Sequence, residues 1–385
     1  MRHHYDTIVV GAGIMGSAAG YYLALAGQRV LLIDAYDPPH MYGSHHGDTR
    51  LFRHAYSAEP VYVRLALQAD QGWQTLEAES GIPLLTRTGV LNMYPADSAA
   101  YRGKLASAQR FGLDVAALDA EELRRAWPGL SLPDHYGGLY ERQGGVLASE
   151  ACVCAFRALA ERHGAATLTH APVREIALAS GASGTARADA PVVVQAAGGV
   201  YRADRLLLTA GADCAGLLPG VALPVAKVRK AVAWFRANER RFAAERFPAF
   251  NYEGPEGEFY GFPSIAGSGV KVGRHDGGTA GAPGEPLAPF GAEPADEAEL
   301  RAFLRARLPG AAGARLRGAV CCYERTPDEH FVLDRQPEHE HVYMAVGFSG
   351  HGFKFAPAIG ALMCEWITTG RTREDLSFFS LRRFR

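Results

Sequence analysis

Gly11, Gly13 and Gly16 stand in the run G-A-G-I-M-G, between an apolar β-branched stretch and a helical one. Gly11 allows a tight turn, Gly13 lets a pyrophosphate approach the backbone, and Gly16 permits close helix–strand packing. The helix N-terminus that follows attracts phosphate charge. Asp34 ends the next strand, 18 residues past Gly16, where a carboxylate can bind the ribose hydroxyls of an adenosine half. These residues predict dinucleotide binding without choosing between FAD and NAD. Three further stretches favour FAD: 43–54, 201–212 and 347–355. The last sends a glycine-rich turn into a helix and supplies backbone donors, Gly350 among them, and the cation Lys354.

Other residue types carry further chemistry. Cys321 and Cys322 are adjacent in "RGAVCCYERTPDEHFVLD". A zinc pair wants a spacer between its cysteines. In a strand the two thiols face opposite sides, and taken alone they read as small buried hydrophobes. His45 and His46 are also adjacent, so they point apart, and no third ligand is suitably spaced; no metal is expected. Arg50 and Arg53 share a face at i, i+3 if that stretch is helical. The plain reading of the two arginines is a solvated helix end, and that of Lys271 is a strand-edge lysine keeping the sheet soluble.

The elements that must position these groups follow from periodicity. Residues 6–34 read as strand, turn, helix and strand, with Gly27 ending the helix. Continuous apolar strands separated by a helix imply a parallel sheet covered on both faces. Residues 58–80 and 96–126 carry helical periodicity, with a strand at 86–94 between them. A helix at 149–163 is expected, capped by Ser149. Strands follow at 166–178, 190–198 and 201–212, with 180–191 as a polar tip. More strands come at 224–274. Residues 276–297 are rich in glycine, proline and alanine and predict an exposed loop. A helix at 294–308 precedes the cysteine strand, and another at 356–370 closes the chain.

The chain has 385 residues, 48% of them hydrophobic, and a net charge of −1. That length suits two domains. The charge offers no bulk field for nucleic acid or an anionic membrane. No segment offers about 18 consecutive apolar residues. The start has no signal-peptide stretch, and six cysteines are too few for a disulfide scaffold, so a cytoplasmic, reducing location is expected.

Taken together, "GAGIMG", "DPPH", "GSHHGDTRLFRHAY", "RTGVL", "YGFP", "KVGRH", "GAVCCYERTPDEHF" and "GFSGHGFKF" resemble the monomeric sarcosine oxidases and N-methyltryptophan oxidases. These are amine-oxidising flavoproteins of the D-amino-acid-oxidase type. The resemblance implies an α/β fold: a Rossmann-type FAD-binding domain assembled from discontinuous segments, plus a substrate domain with a mixed β-sheet. The expected division is 1–84, 146–218 and 319–385 for FAD, and 85–145 and 219–318 for substrate. By the same resemblance Cys321 is joined to the flavin 8α-methyl carbon by a thioether, while Cys322 packs. Arg53 and Lys354 clamp the substrate carboxylate. Ser44, His46, Thr49 and Arg50 lie near the flavin, Tyr260 and His275 line the pocket, and Lys271 assists the reaction with oxygen.

The implied activity, in a monomer, is oxidative demethylation of an N-methyl amino acid, giving formaldehyde, the amino acid and hydrogen peroxide. The stretches "KVRKAVAWF", "RFPAF" and "SLRRF" lean toward the N-methyltryptophan branch. Asn251, where the sarcosine branch resembles a larger methionine, leaves room for a bulky substrate. Rival readings are a dehydrogenase or oxidase of another secondary amino acid, such as proline or pipecolate, and a flavin-carrying subunit of a larger complex.

Overall fold

The computed structural model describes residues 4–57, 59–178, 191–218 and 220–384. The strand His4–Val10 is apolar from Ile8 onward and is buried on both faces. Val9 joins the core on one side of the sheet, Ile8 and Val10 the core on the other. It pairs in parallel with Val30–Ile33 and with Gly199–Leu208. Ala166–Leu168 extends the parallel set beyond Val30–Ile33, and Val342–Val346 extends it beyond Gly199–Leu208. Antiparallel Val173–Leu178, Val192–Ala196 and Val332–Arg335 complete an eight-stranded sheet. Parallel neighbours need crossover connections, so this Rossmann-type sheet gathers widely separated segments.

Helices Ile14–Leu25, Pro60–Ser80, Ser149–Arg162 and Ala356–Thr369 build the larger core against that sheet. Small residues let them approach. A Cβ on Gly360 would lie 2.8 Å from the Ala18 carbonyl carbon, and one on Gly72 would lie 2.4 Å from the Pro357 Cβ.

The second sheet has nine strands and is mixed. Its path runs Thr279–Gly281, Ala226–Phe235, Val270–Arg274, Gly257–Phe262, Ala249–Gly254, Val90–Pro95, Tyr136–Glu141 and Val115–Asp119, with Arg315–Arg325 also paired to Ala226–Phe235. Only the pair Ala249–Gly254 with Val90–Pro95 is parallel among the described pairs of this sheet. Leu300, Phe303 and Leu304 of helix Ala295–Arg307 fill the core on its far side. A three-stranded sheet, Thr49–Phe52, Gly145–Ala148 and Leu85–Thr86, completes the strands.

Several local expectations are corrected. Arg50 lies in the strand Thr49–Phe52 and Arg53 just past its end, so the two do not share a helix face. The backbone of 49–52 pairs with Gly145–Ala148, a tertiary contact that local pattern does not announce. Ser149 is the first helical residue, not the cap; Ala148 holds the cap position, and the Ser149 hydroxyl donates to Glu150 Oε2 at 2.7 Å. The 96–126 stretch is two helices, Ala99–Arg110 and Ala120–Ala126, around the strand Val115–Asp119. Gly112, at φ 62°, breaks the first, and Asp119 starts the second with a capping box. Within the expected loop 276–297, Thr279–Gly281 is a short edge strand. The expected tip at 180–191 lies, apart from Pro191, outside the described residues. Among the described residues no helix is long and apolar enough to cross a membrane.

Candidate active site

The strand–turn–helix at the start of the chain leaves almost no free volume at its glycines. Gly11 has φ 95°, and a Cβ on Gly16 would sit 1.8 Å from the Gly11 carbonyl oxygen. A Cβ on Gly13 would lie 3.2 Å from His45 Nδ1. The Asp34 carboxylate braces this turn, accepting from Ala12 N at 2.7 Å and Tyr36 N at 2.9 Å. Burial works against its charge, but His40 and these two N–H groups outweigh it and hold Asp34 below the usual carboxylate range. The turn leads directly to a cavity of about 390 Å³, on whose wall Ile14 and Met15 lie.

Four cations reach that cavity: Arg50, Arg53, Lys271 and Lys354. None has a carboxylate within 4 Å among the described residues. Arg50 bridges the backbone, donating to Thr49 O, Ser44 O and His46 O at 2.7 Å each, and stands 3.6 Å from Cys321 Sγ. Arg53 donates to Ala55 O at 2.7 Å and lies 4.2 Å from the Tyr56 ring centre. Lys354, 4% exposed, donates to His351 O at 2.6 Å and lies 5.3 Å from the same ring. Two cations thus flank one tyrosine with donors to spare. Burial, then Arg53 and Lys104, push Lys354 well below its usual value. An arriving anion reverses that pressure.

Lys271 is held differently. Its three N–H groups go to Gly47 O at 2.5 Å, Thr49 O at 3.1 Å and Thr49 Oγ1 at 3.1 Å. Burial and then Arg50 lower it, yet three acceptors around one nitrogen match an ammonium. Glu150 fastens the 47–48 backbone from behind, accepting from Gly47 N at 2.6 Å. Lys271 is 2% exposed, so it is not a lysine keeping a sheet edge soluble.

The cysteine strand behaves as its alternation predicts. Cys321 faces the cavity; Cys322 faces away, where burial pushes its thiol up to about 12. The Cys322 carbonyl accepts from Ser44 Oγ at 2.6 Å, tying the strand to the 43–47 segment. Tyr323, two positions on from Cys321, returns to the cavity, with its hydroxyl 3.4 Å from His275 Nδ1. Burial, then Lys230 and Arg53, depress His275 to about 3, so the ring is neutral. Burial and the Cys321 sulfur raise Tyr260 to about 12, so it is a neutral phenol. His46 is depressed to about 4 by burial and Arg50, and its Nε2 is buried with no partner among the described residues.

The fold therefore brings Arg50, Arg53, Tyr260, Lys271, His275, Cys321, Lys354, Ser44, His46 and Gly350 to one cavity. Thr49 stands behind it through Lys271. Gly11, Gly13, Gly16 and Asp34 form the adjoining turn rather than the cavity wall. Residue reading missed Tyr56, Tyr94 and Tyr323, and also the facing pair Glu253 and Glu258. Alternation from Asn251 to Glu253, and from Tyr260 back to Glu258, was the available signal for the two acids.

The sequence pattern of the FAD dependent oxidoreductase (DAO) family matches residues 6–366. Monomeric sarcosine oxidase of Bacillus sp. (strain B-0618) is 43% identical over 387 residues, covering 100% of this chain and 97% of that protein. N-methyl-L-tryptophan oxidase of Salmonella newport (strain SL254) is 42% identical over 381 residues, covering 99% of each. Among solved structures, L-proline dehydrogenase from P. horikoshii superposes with a TM-score of 0.86 at 21% identity, over 100% of this chain and 98% of that one. NikD, an amino acid oxidase of nikkomycin biosynthesis, gives 0.84 at 24% identity, over 98% and 97%. These two share the fold. With its glycine turn, its buried cations and full-length identity to curated relatives, the chain belongs to the DAO family of FAD-dependent oxidoreductases, in the group that includes the monomeric sarcosine oxidases and N-methyl-L-tryptophan oxidases.

Proposed function

We propose that this enzyme oxidises N-methyl amino acids with oxygen, and that its FAD is joined to Cys321 by a thioether. The observation that carries the reading is the pair Arg53 and Lys354. Both flank the Tyr56 ring without a carboxylate partner among the described residues, in the cavity that Cys321 also faces. Two unpaired cations at one ring make a receptor for a carboxylate, and the arginine adds a planar donor fork.

The residues present fit FAD. The turn packs against Thr209 and Ala210 with no room for a side chain at Gly11 or Gly16, the compact strand-to-helix turn that a pyrophosphate site needs. His46 Nε2 is a buried polar atom without a partner. Cys321 presents sulfur to the cavity beside Arg50. Gly11, Gly13, Gly16 and Asp34 would hold the adenosine and pyrophosphate; Ser44, His46, Thr49, Arg50 and Gly350 would hold the other end. When bound, FAD supplies the two-electron chemistry, taking electrons from the amine and passing them to oxygen.

The chain's own residues do the rest. Arg53 and Lys354 fix the carboxylate and so aim the N-methyl group. Neutral His275 and the phenols of Tyr260 and Tyr323 offer a wall that does not compete for the carboxylate. Lys271 keeps a fixed positive charge at the cavity, which favours the negative charge oxygen gains on reduction. The division of the chain at 1–84, 146–218 and 319–385 against 85–145 and 219–318 belongs to this proposal, as do a monomeric state and a cytoplasmic location. Six cysteines, all free, support a reducing compartment.

The test is peroxide and formaldehyde release on a panel: sarcosine, N-methyl-L-tryptophan, other N-methyl amino acids, L-proline and D-amino acids. N-methyl compounds are expected to yield both products. Turnover of L-proline alone, or electron transfer to dyes without peroxide, overturns the reading.

A further inference from the structure

We propose that Asn251 reads a hydrogen-bond donor on the substrate's side chain, with Asn92 and Lys104 as the positioning residues that aim it. The inference rests on the reading that the cavity receives an amino acid, and it names the class: side chains whose ring carries an N–H or O–H.

Asn251 lies on the cavity wall, in the strand Ala249–Gly254. Its register partner in the parallel pair with Val90–Pro95 is Asn92, which is fully buried. Asn92 Nδ2 donates to the Leu139 carbonyl at 3.3 Å. That oxygen can only accept, so the Asn92 amide has one orientation. Its Oδ1 then faces two donors, Lys104 Nζ at 3.2 Å and Asn251 Nδ2 at 3.0 Å.

Lys104 comes from helix Ala99–Arg110, is 3% exposed, and also donates to the Tyr94 hydroxyl. It has no carboxylate within 4 Å among the described residues. Asn92 Oδ1 accepts from Lys104 Nζ whether that amine is charged or neutral. Turning the Asn251 amide over would set its oxygen against Asn92 Oδ1. With Nδ2 committed to the wall, Asn251 Oδ1 has no partner among the described residues and is left for the cavity. Lys104 is served by Asn92 and Tyr94 alone, so Asn251 is not needed to satisfy it. An acceptor held this way rewards a donor and penalises an isostere that lacks one.

The probes are indole-3-acetate and benzothiophene-3-acetate. Both carry the carboxylate, and they differ at the ring N–H. Binding to the holoenzyme is measured by calorimetry. Wild type is expected to bind the indole roughly ten-fold more tightly, the effect of one neutral hydrogen bond. Asn251→Leu, of similar volume, is expected to bring the ratio near one. Lys104→Met is expected to lower it while leaving Asn251 in place, which a merely structural lysine would not do. Equal binding in wild type, an unchanged ratio in Asn251→Leu, or no binding of either acid overturns the assignment. Peroxide release from N-methyl-L-tryptophan and sarcosine is followed separately, so loss of the oxidase reading is told apart from loss of this one.

Discussion

Cys321 and Cys322 occupy opposite sides of one strand, and their chemistry divides accordingly. Only Cys321 shares the cavity with Arg50, whose guanidinium stands 3.6 Å from its sulfur. The sulfur on the cavity side is the one that a flavin methyl group would meet. Acid-precipitated enzyme is therefore expected to keep its yellow colour in the pellet. Cys321→Ala should release the colour, and Cys322→Ala should not; a colourless wild-type pellet removes the tether. Lys271 makes a second residue-scale case. Lys271→Met keeps length and apolar bulk but deletes the charge held between Gly47 and Thr49. Anaerobic bleaching of the flavin by substrate should stay near wild-type speed. Reoxidation by air should slow by about 10²–10³, the usual effect of one preorganised electrostatic contact. Stopped-flow absorbance with and without oxygen separates the halves, and slow reduction with normal reoxidation would move Lys271 into the substrate site.

At the scale of elements, the opening strand–turn–helix depends on how closely the helix reaches the turn. Gly16 touches the Gly11 carbonyl so tightly that no side chain fits, and its ideal Cβ position also lies 2.7 Å from Thr209 Oγ1. Both contacts belong to the turn and its braced neighbour, since Thr209 Oγ1 donates to Gly11 O at 2.6 Å. Gly16→Ala must therefore push the helix off the sheet. Steric insertions of this kind typically cost 1–3 kcal/mol; the expected result is a melting midpoint lowered by several degrees and a sub-stoichiometric flavin content. Gly27→Ala is the comparison for backbone strain alone: its φ of 79° disfavours a side chain, but nothing lies within 4 Å of its Cβ position, so the midpoint should fall while the flavin content stays full. A Gly16→Ala protein with full flavin content would show that the turn tolerates displacement.

At the scale of the whole molecule, one buried charge cluster joins segments far apart in the chain. His54 lies between Glu141, at 2.6 Å, and Asp70, at 2.8 Å, and Arg87 pairs with Asp70. Burial alone would depress His54, but the hydrogen bonds to Asp70 and Glu141 overcome it and raise the ring to about 9. The folded value exceeds the unfolded one near 6.5. The stabilisation is thus fully present below pH 6.5 and is lost as pH rises toward about 9. The span corresponds to on the order of 3 kcal/mol. Resistance of the wild type to denaturant should fall between those pH values, and His54→Gln should be less stable below pH 6.5 and flatter across the window. A wild-type curve flat over that range would leave His54 neutral in the folded protein.

That cluster marks where sequence reading ends. The glycine turn, Asp34 and the two-sided cysteine strand were legible because they obey local rules. A turn needs glycine where a Cβ would collide, and a strand alternates its faces whatever lies beyond. The cations too were legible as residue types. Their placement was not: Arg50 and Arg53 looked like neighbours on a helix, but pairing with Gly145–Ala148 drew that segment into a strand. The partners of Lys271 come from residues 47 and 49, and those of His54 from 70 and 141. The aim of Asn251 depends on Asn92 and on a lysine from another element. Strand register and helix docking bring such groups together, and these are set by the packing of the whole core rather than by any residue's neighbours. The sequence by itself determined which chemical groups exist and a local glycine turn of the dinucleotide-binding type; tertiary structure decided which cations stand in one cavity with no carboxylate partner among the described residues, because burial and pairing are properties of distant segments meeting.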